Sequence, residues 1–374
     1  MNETNKSFSQ IPLRLIDDRV WRTYRGGLGL EAWRRQHDPR DSDYPELWVA
    51  STVQAVNAGR EHAAAEGLSK IAPPGLPGGT AITLKELIES DPARFLGAEH
   101  ARRYESSPAL LVKVLDSCER LTIQVHPDPH FAMEEFGSRF GKTEAWYVLG
   151  GRTIDGEPPY VLLGFKPHVT KELWRRLFEE QDIPAMLDAL HKVQVREGDV
   201  FLIAGGLPHA IGSGCLLIEI QEPTDLTLRT ERTTPRGVRL PDRACHQGIG
   251  FDRMLDCFHY EAANLTDTLH RTTVVPEIAD RQEGGTQTHL IQPKHTERFR
   301  MSRLEVTGRY GMAKQDEFAV AIVEAGSGTL LFASGEAALG TGDTLFLPAG
   351  LRHMTWRAND PREALVVVLC YPPK

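Results

Sequence analysis

One twelve-residue motif occurs twice in this chain, and the repeat limits the folds that the chain can adopt. Residues 198–209 read GDVFLIAGGLPH and residues 342–353 read GDTLFLPAGLRH. Both copies run from Gly-Asp through an apolar stretch and a glycine-containing break to a histidine. The apolar stretch is typical of a strand, and the glycines let the backbone turn sharply after it. A repeated unit of this kind predicts two related β-barrels.

Short apolar strands separated by Gly and Pro turns account for much of the remaining sequence. Many short strands indicate a jelly roll or a sandwich, so the predicted fold class is mainly β. In the first part of the chain the predicted strands cover residues 109–115, 121–125, 145–149, 160–165, 193–203 and 215–221.

Two helical insertions interrupt this β framework. Thr83 followed by Glu86 is a capping-box pattern, and residues 170–190 have apolar residues at a spacing near 3.6. We place the insertions at about 80–107 and 168–192.

The polar, charged stretch 261–298 predicts an irregular connection between the two barrels. The chain is therefore divided into an N-terminal domain of residues 1–260, the connection 261–298 and a C-terminal barrel of residues 299–374.

Composition narrows the classes of function. The chain has 374 residues, of which 41% are hydrophobic and 25% charged, as in an ordinary globular protein. No apolar run is long enough for a membrane span, and the polar start MNETNKSFSQ does not resemble a secretion signal. Five scattered cysteines without a CxxC pair argue against a disulfide framework, so we expect a cytoplasmic protein. The net charge of −8 predicts no nucleic-acid partner; we expect a small-molecule ligand and a monomer or homodimer.

Four side chains offer a metal site. On a strand, side chains two residues apart point to the same face, so Gln124 and His126 project together. The returning strand at 145–149 brings in Glu144, and His209 follows the turn of the first motif copy. Two His, one Glu and one Gln suit zinc or another first-row divalent ion, one per chain.

Two other histidines are not predicted to bind metal. His130 makes an HxxxH spacing with His126, which needs a helix, and Pro127 and Pro129 argue for a loop there. His353 ends the second motif copy, but the strands upstream of it contain no His and no QxH pair at the corresponding place. The C-terminal barrel is therefore expected to have no metal site.

Longer motifs carry a resemblance to a known family. The runs LLVKVLDSCERLTIQVHPD, GKTEAWYVL and GDVFLIAGGLPHAIGSGCLLIEIQE, followed by Arg229, resemble type I mannose-6-phosphate isomerases over most of residues 14–260. The resemblance implies a double cupin, that is, two jelly-roll barrels with helical insertions. It also implies zinc bound by Gln124, His126, Glu144 and His209, the set that the residues themselves offer.

The reaction that the resemblance implies is the interconversion of mannose 6-phosphate and fructose 6-phosphate through a cis-enediolate. Glu219 matches the family position proposed as the base, although it could instead orient a metal ligand, and Glu222 is a weaker rival. Arg229 matches an arginine near the reacting carbons and the phosphate; the alternative is a surface arginine. Lys142 would lie beside the metal and donate to a substrate oxygen.

For the phosphate itself, Lys113 and Thr122 match family positions that contact it. Two segments depart from the family pattern, WRTYRGG at 21–27 and EPTDLTLRTER at 222–232, and both are expected to line the substrate end of the pocket. The alternatives are therefore an isomerase of another or an unphosphorylated sugar, or a non-catalytic sugar-binding cupin. A cupin oxygenase is a third, which a single carboxylate with Gln suits less well.

Overall fold

The computed structural model describes residues 8–16, 19–57, 60, 66–71 and 81–374. The fold is mainly β, as the sequence predicts. The strands in the described part are β1 (Leu13–Ile16), β2 (Arg19–Val20), β3 (Glu46–Val49), β4 (Lys70–Ile71), β5 (Ile82–Thr83), β6 (Leu111–Asp116), β7 (Gln124–Val125), β8 (Glu144–Gly151), β9 (Tyr160–Phe165), β10 (Leu190–Gln194), β11 (Val200–Ile203), β12 (His209–Ile211), β13 (Cys215–Gln221), β14 (Leu228–Arg229), β15 (Glu277–Gln282), β16 (Gly285–Ile291), β17 (Arg300–Val306), β18 (Arg309–Ala313), β19 (Ala319–Ala325), β20 (Ser327–Phe332), β21 (Gly335–Gly340), β22 (Thr344–Leu347), β23 (His353–Ala358) and β24 (Leu365–Tyr371).

Helices occur in the insertions and around the joint between the barrels. They are α1 (Leu28–Trp33), α2 (Leu84–Ser90), α3 (Pro92–Leu96), α4 (Ala98–Tyr104), α5 (Pro129–Phe136), α6 (Lys171–Glu180), α7 (Ile183–Asp188), α8 (Asp242–His246), α9 (Phe251–Asp256) and α10 (Leu265–Thr272). None of these helices combines the length and the apolar character that a membrane span requires.

The strands form two barrels with the same strand order. In the first barrel the sheet β11-β8-β13-β6-β3-β2 packs on the sheet β10-β9-β12-β7-β14 around one apolar cluster. In the second barrel the sheet β22-β19-β24-β17-β16-β15 packs on the sheet β21-β20-β23-β18. Each strand of the second barrel therefore has an equivalent in the first, which confirms the two related barrels that the repeat predicts.

The two barrels share a hydrophobic cluster. Phe318 and Phe346 of the second barrel belong to the same buried cluster as Val112 and Ile218 of the first. Phe95 of the helical insertion also joins this cluster. Strand β1 extends the main sheet of the second barrel by pairing with β22. The N-terminal residues thus complete the sheet of the C-terminal barrel.

The two helical insertions form as predicted. Thr83 accepts a hydrogen bond from the backbone N–H of Glu86, and the Glu86 carboxylate accepts one from the N–H of Thr83, so the capping box is present at the start of α2. The second insertion contains α6 and α7, which are separated at Gln181, where the backbone φ is 53°. A left-handed residue at that position ends α6 and lets the chain restart as α7.

Three local expectations were wrong. Residues 193–203 form two strands, because Gly198, at φ 90°, turns the chain between β10 and β11. The strand expected at 121–125 is only the two residues of β7. The stretch 261–298 is not irregular, since it contains α10 and the hairpin of β15 and β16, which pairs with β17. Every residue of β15 is exposed, so this edge strand has no apolar alternation that the sequence could reveal.

His130 also differs from expectation, because it lies in helix α5 rather than in a loop. Pro129 occupies the first helical position, where the missing N–H costs nothing, and Asp128 caps the helix by accepting from the N–H of Phe131 at 2.8 Å. The His130 side chain is 82% exposed and faces Glu134. His126 precedes the helix, so the HxxxH spacing does not bring the two histidines to one helix face.

Candidate metal centre and active site

Three ionisable side chains meet inside the first barrel. The ligand atoms of His126, Glu144 and His209 all lie within 4.8 Å of one another, and all three residues are buried. The Nε2 atom of His126 is 3.2 Å from Glu144 Oε2, and that of His209 is 3.4 Å from Glu144 Oε1. Gln124 lies opposite His209 in the pairing of β7 with β12, and its amide nitrogen is 3.3 Å from His209 Nε2. The four predicted ligands therefore come together.

Both histidines are oriented as metal ligands. Nδ1 of His126 is 2.9 Å from the carbonyl oxygen of Leu226, and Nδ1 of His209 is 2.9 Å from that of Leu207. A proton on Nδ1 is donated to each carbonyl, which leaves the Nε2 lone pair facing the cluster. Burial, and next the charge of Lys142, hold the pKa of His126 well below its usual range; burial also lowers the pKa of His209. Neutral imidazoles are the form that binds metal.

Glu144 tests whether a cation fits. Its Oε1 atom accepts a hydrogen bond from Trp146 Nε1 at 3.1 Å, but its buried Oε2 atom has no hydrogen-bond partner. A buried carboxylate oxygen that accepts no hydrogen bond is costly unless a cation compensates it. An amide, two imidazoles and one carboxylate suit zinc or a similar divalent ion, so the residues fit the expected metal.

Lys142 lies directly beside this cluster. Its Nζ atom is 3.1 Å from His126 Nε2, 3.2 Å from Thr227 Oγ1 and 3.7 Å from Glu144 Oε2. Burial lowers the pKa of Lys142, against the opposing charge of Glu144. A hydrogen-bond donor is therefore held directly beside two of the residues that would hold a metal ion.

A buried ion pair forms part of the pocket floor in front of the cluster. Lys113 on β6 lies opposite Glu219 on β13, and Lys113 Nζ is 3.0 Å from Glu219 Oε1. Burial raises the pKa of Glu219, and the charge of Glu144 raises it further. Burial opposes the charged form of Lys113, but Glu219 and Glu46 outweigh it and raise that pKa. A carboxylate with a raised pKa can accept a proton near neutral pH.

Arg229 and Thr122 line the same pocket. Arg229 lies opposite Gln124 in the pairing of β14 with β7, and its Nη1 atom donates to the carbonyl oxygens of Ala244 at 2.9 Å and Thr227 at 3.2 Å. Burial lowers the pKa of Arg229. Thr122 is 7% exposed. The alternative of a surface arginine does not describe Arg229.

Glu222 has a different place from Glu219. Its carboxylate accepts hydrogen bonds from the backbone N–H groups of Thr143 at 3.0 Å and Gly141 at 3.3 Å. It therefore anchors the segment that carries Lys142 and Glu144 from outside the pocket lining.

The sequence did not reveal a second group of charges in the pocket, formed by Arg22, Glu46 and Asp225. Arg22 Nε is 3.0 Å from Glu46 Oε2, and Arg22 Nη2 is 3.5 Å from Asp225 Oδ1. Burial disfavours the Glu46 carboxylate, but Arg22 and Lys113 outweigh it and lower its pKa to about 2. Arg22 and Asp225 lie in the two segments that depart from the family pattern, and this departure was the available signal.

The second barrel has different residues at the equivalent positions. His353 lies opposite Ala313 in the pairing of β23 with β18, as His209 lies opposite Gln124. Ile203 of the first motif copy lies opposite Glu144, and the equivalent Leu347 of the second copy lies opposite Ala319. His353 is exposed. Within the described ranges, the cluster in the first barrel is the only group of three such ligands.

Known proteins resemble this chain in sequence and in fold. A family model described as an AraC-like ligand binding domain matches residues 306–370. A mannose-6-phosphate isomerase from Streptococcus mutans is 26% identical over 299 residues, which cover 77% of this chain and 84% of that protein. The structure of mannose 6-phosphate isomerase from Bacillus subtilis superposes with a TM-score of 0.73 at 23% identity, covering 96% of this chain and 99% of the other. A zinc-bound mannose 6-phosphate isomerase superposes with a TM-score of 0.71 at 15% identity, covering 97% and 100%. The resemblance of this chain to the type I mannose-6-phosphate isomerase family is thereby confirmed, and its fold is the double cupin.

Proposed function

We propose that this protein is a metal-dependent aldose–ketose isomerase that interconverts mannose 6-phosphate and fructose 6-phosphate. The observation that carries the proposal is the buried cluster of His126, Glu144 and His209. Gln124 and Lys142 contact this cluster and also line a polar pocket together with Glu219. The chain is similar to mannose-6-phosphate isomerases over most of its length. A sugar phosphate is therefore the proposed substrate class.

The four residues Gln124, His126, Glu144 and His209 would hold one zinc ion or a similar divalent ion. When bound there, such an ion polarises the carbonyl oxygen of the open-chain sugar and stabilises negative charge that develops on it. Neutral Gln and His ligands with one carboxylate leave the site with net positive charge, which this role requires.

Glu219 is the proposed base. Its carboxylate takes the proton from C2 of the aldose as the electron pair moves toward the carbonyl oxygen and an enediolate forms. The same proton returns at C1 while the hydroxyl proton on O2 passes to O1, which gives the ketose, and Glu219 is again ionised. The raised pKa of Glu219 brings its proton affinity closer to the working pH, and Lys113 holds its side chain in position.

The remaining residues bind and orient the sugar. Lys142 would donate to the substrate oxygen beside the metal, and Arg229 would face the oxyanion near the reacting carbons. Thr122 and Lys113 are proposed to contact the phosphate. A lysine ammonium carries three donors, so the bond from Lys113 to Glu219 is compatible with a second bond to a phosphate oxygen.

One observation favours a second candidate, an isomerase of an unphosphorylated sugar. Glu46 and Asp225 bring two carboxylates into the pocket lining, and their partner Arg22 is already paired with both. Carboxylates next to a bound phosphate would repel it, whereas sugar hydroxyls can donate hydrogen bonds to them.

A coupled assay separates these candidates. Fructose 6-phosphate formation from mannose 6-phosphate would be measured on metal-loaded and chelator-stripped protein, with mannose assayed beside it and the metal identified by elemental analysis. We expect turnover of the phosphorylated sugar that chelation abolishes and metal restores. Turnover of mannose alone would establish the second candidate. Absence of turnover with metal bound would contradict both and favour a sugar-binding cupin.

A further inference from the structure

The second barrel contains a cavity that the proposed reaction does not use. It has a volume of about 340 Å³, which lies in the range of small-molecule sites. Its floor includes the buried residues Ser302, Tyr371 and Lys314, and Pro293 and Ala313 lie exposed at its rim. The cavity is therefore a bowl in the barrel with a polar interior.

The strand register shows that this cavity has the same position in the second barrel as the pocket beside the candidate metal ligands has in the first. We call that first pocket the metal pocket. In the first barrel, Lys113 of β6 lies opposite Glu219 of β13. In the second, Ser302 of β17 lies opposite Leu369 of β24. Trp146 pairs with Phe201 of the first motif copy and with Glu219, and Ala321 pairs with the equivalent Leu345 and with Leu369. The two pairs are therefore equivalent, and Ser302 occupies the position of Lys113.

The next strand shows the same correspondence. Glu46 of β3 lies opposite Leu115 of β6, and Gln287 of β16 lies opposite Leu304 of β17. Glu46 lines the metal pocket and Gln287 lines the second cavity. The two cavities are thus one feature of the fold, present twice with different side chains.

The groups required for the proposed chemistry are missing from the second copy. The position of the proposed base is Leu369, and the equivalents of two metal ligands are Ala313 and Ala319. The cavity has room for a ligand. Within the described part of this barrel, however, no carboxylate lies at the position that corresponds to the proposed base Glu219.

The charges of the cavity favour an anion. Lys314 Nζ donates to the backbone carbonyl oxygens of Glu317 at 2.7 Å, Pro348 at 2.8 Å and Leu347 at 3.2 Å. Arg300 pairs with the Glu317 carboxylate at 2.5 Å. The lining thus includes the three cationic side chains of Arg300, Lys314 and Lys374 and the one carboxylate of Glu317. Burial lowers the pKa of Lys314 to about 7, so an anion bound nearby would stabilise its charged form.

The other lining groups suit a polyhydroxylated molecule. Gln287 and His289 supply both donors and acceptors, and His289 Nδ1 is 3.0 Å from Ser302 Oγ. Tyr371, with Arg300 5.1 Å above its ring, and Met312 provide apolar surface on which the C–H face of a sugar can pack.

We propose that the cavity of the second barrel binds a small polyhydroxylated anion, that is, a sugar-like compound that carries phosphate or carboxylate groups, without converting it. The site is separate from the metal pocket, so it binds whether or not the first barrel holds metal.

Met312 offers a local readout of this binding. Protein labelled with ¹³C-methyl methionine would be titrated with 6-phosphogluconate, which has no carbonyl group to isomerise. The Met312 signal is assigned with Met312→Leu. We expect a saturable shift of this signal in the wild-type protein, and the same shift in His209→Ala, whose metal pocket is disabled. A Met312 signal that does not move at saturating 6-phosphogluconate would overturn the proposal.

Two matched variants place the ligand. Arg300→Gln should weaken 6-phosphogluconate binding at least about tenfold, because it removes a charged donor from the cavity. Arg303→Gln on the same strand, whose side chain pairs with Glu324 and Glu305, should leave binding unchanged. Equal effects of the two variants would contradict the placement. Ser302→Leu, which fills the cavity, should also abolish the shift.

Inorganic phosphate separates the anionic group from the sugar. We expect inorganic phosphate to bind at least about tenfold more weakly than 6-phosphogluconate, because it lacks the hydroxyls that meet Gln287 and His289. Equal affinities would show that the cavity recognises the anion alone and would overturn the sugar-like part of the proposal.

Discussion

The two barrels have the same strand order and the same motif, yet only one of them gathers metal ligands. The Gly-Asp start of the motif does the same work in both. Asp199 Oδ2 accepts from the N–H of Arg196 and Asp343 Oδ2 accepts from the N–H of Gly340, each at 2.8 Å. The final histidine differs, because His209 is fully buried and His353 is exposed. The repeated motif therefore specifies a turn between strands, and chemistry depends on what faces the histidine.

A second difference lies in the barrel interiors. Around the group of candidate metal ligands, the first barrel buries Lys113, Glu219 and Lys142. Such buried charges cost free energy unless they are well paired. The second barrel has Leu369 at the position of Glu219, within a buried apolar cluster. The first barrel therefore has a polar site where the second has apolar packing, which is expected where a fold carries function.

The largest effect is expected from the two motif histidines. His209→Ala should remove a metal ligand and lower turnover by more than about 10²-fold, since even residues that only orient ligands cost 10- to 100-fold. His353→Ala, at the equivalent position, should leave bound metal and kcat unchanged. Metal content by elemental analysis and kcat would be measured for both. Comparable losses in the two variants would break the distinction between the barrels.

A smaller effect is expected for the proposed base. Glu219→Gln should retain metal and lower kcat by roughly 10²- to 10⁴-fold with little change in KM, because proton transfer acts in the transition state. Glu324→Gln is the matched control, since Glu324 of the second barrel is also a carboxylate with little exposure but pairs with Arg303 and accepts from Tyr147 of the first barrel. Its kcat should remain near that of wild type. Full activity of Glu219→Gln would reassign Glu219 to a structural role.

The sequence predicted the candidate metal ligands better than it predicted the pocket around them. Gln124 and His126 are two residues apart, and Glu144 begins the next strand, so local spacing favoured this group, and the family resemblance implied the same residues. Arg22 and Asp225 are far apart in the chain, and only the fold brings them to 3.5 Å. No local pattern encodes such a contact.

The fold, like the site, could be predicted where a local sequence pattern encodes it. The repeat predicted two barrels because each barrel contains one copy of the motif. The two barrels then have the same strand order because their sheets pack in the same way. The hairpin of β15 and β16 was missed because β15 is an edge strand with two polar faces, stabilised by pairing rather than by burial. Apolar periodicity detects burial, so it cannot detect such a strand.

The smallest effect is expected from Lys314, a buried cation of the second barrel. The pKa of Lys314 is about 7 in the folded protein against 10.5 as the ordinary value. Between these values the unfolded chain binds more protons, so this lysine makes the free energy of unfolding rise with pH, by up to about 1.4 kcal/mol per unit. Below about pH 7 both states are protonated and the contribution is constant. Lys314→Met should lose that rise, whereas Lys85→Met, at an exposed site, should keep it. Urea unfolding at pH 7, 8 and 9 measures the slopes, and parallel slopes for wild type and Lys314→Met would show that Lys314 titrates as an ordinary surface lysine.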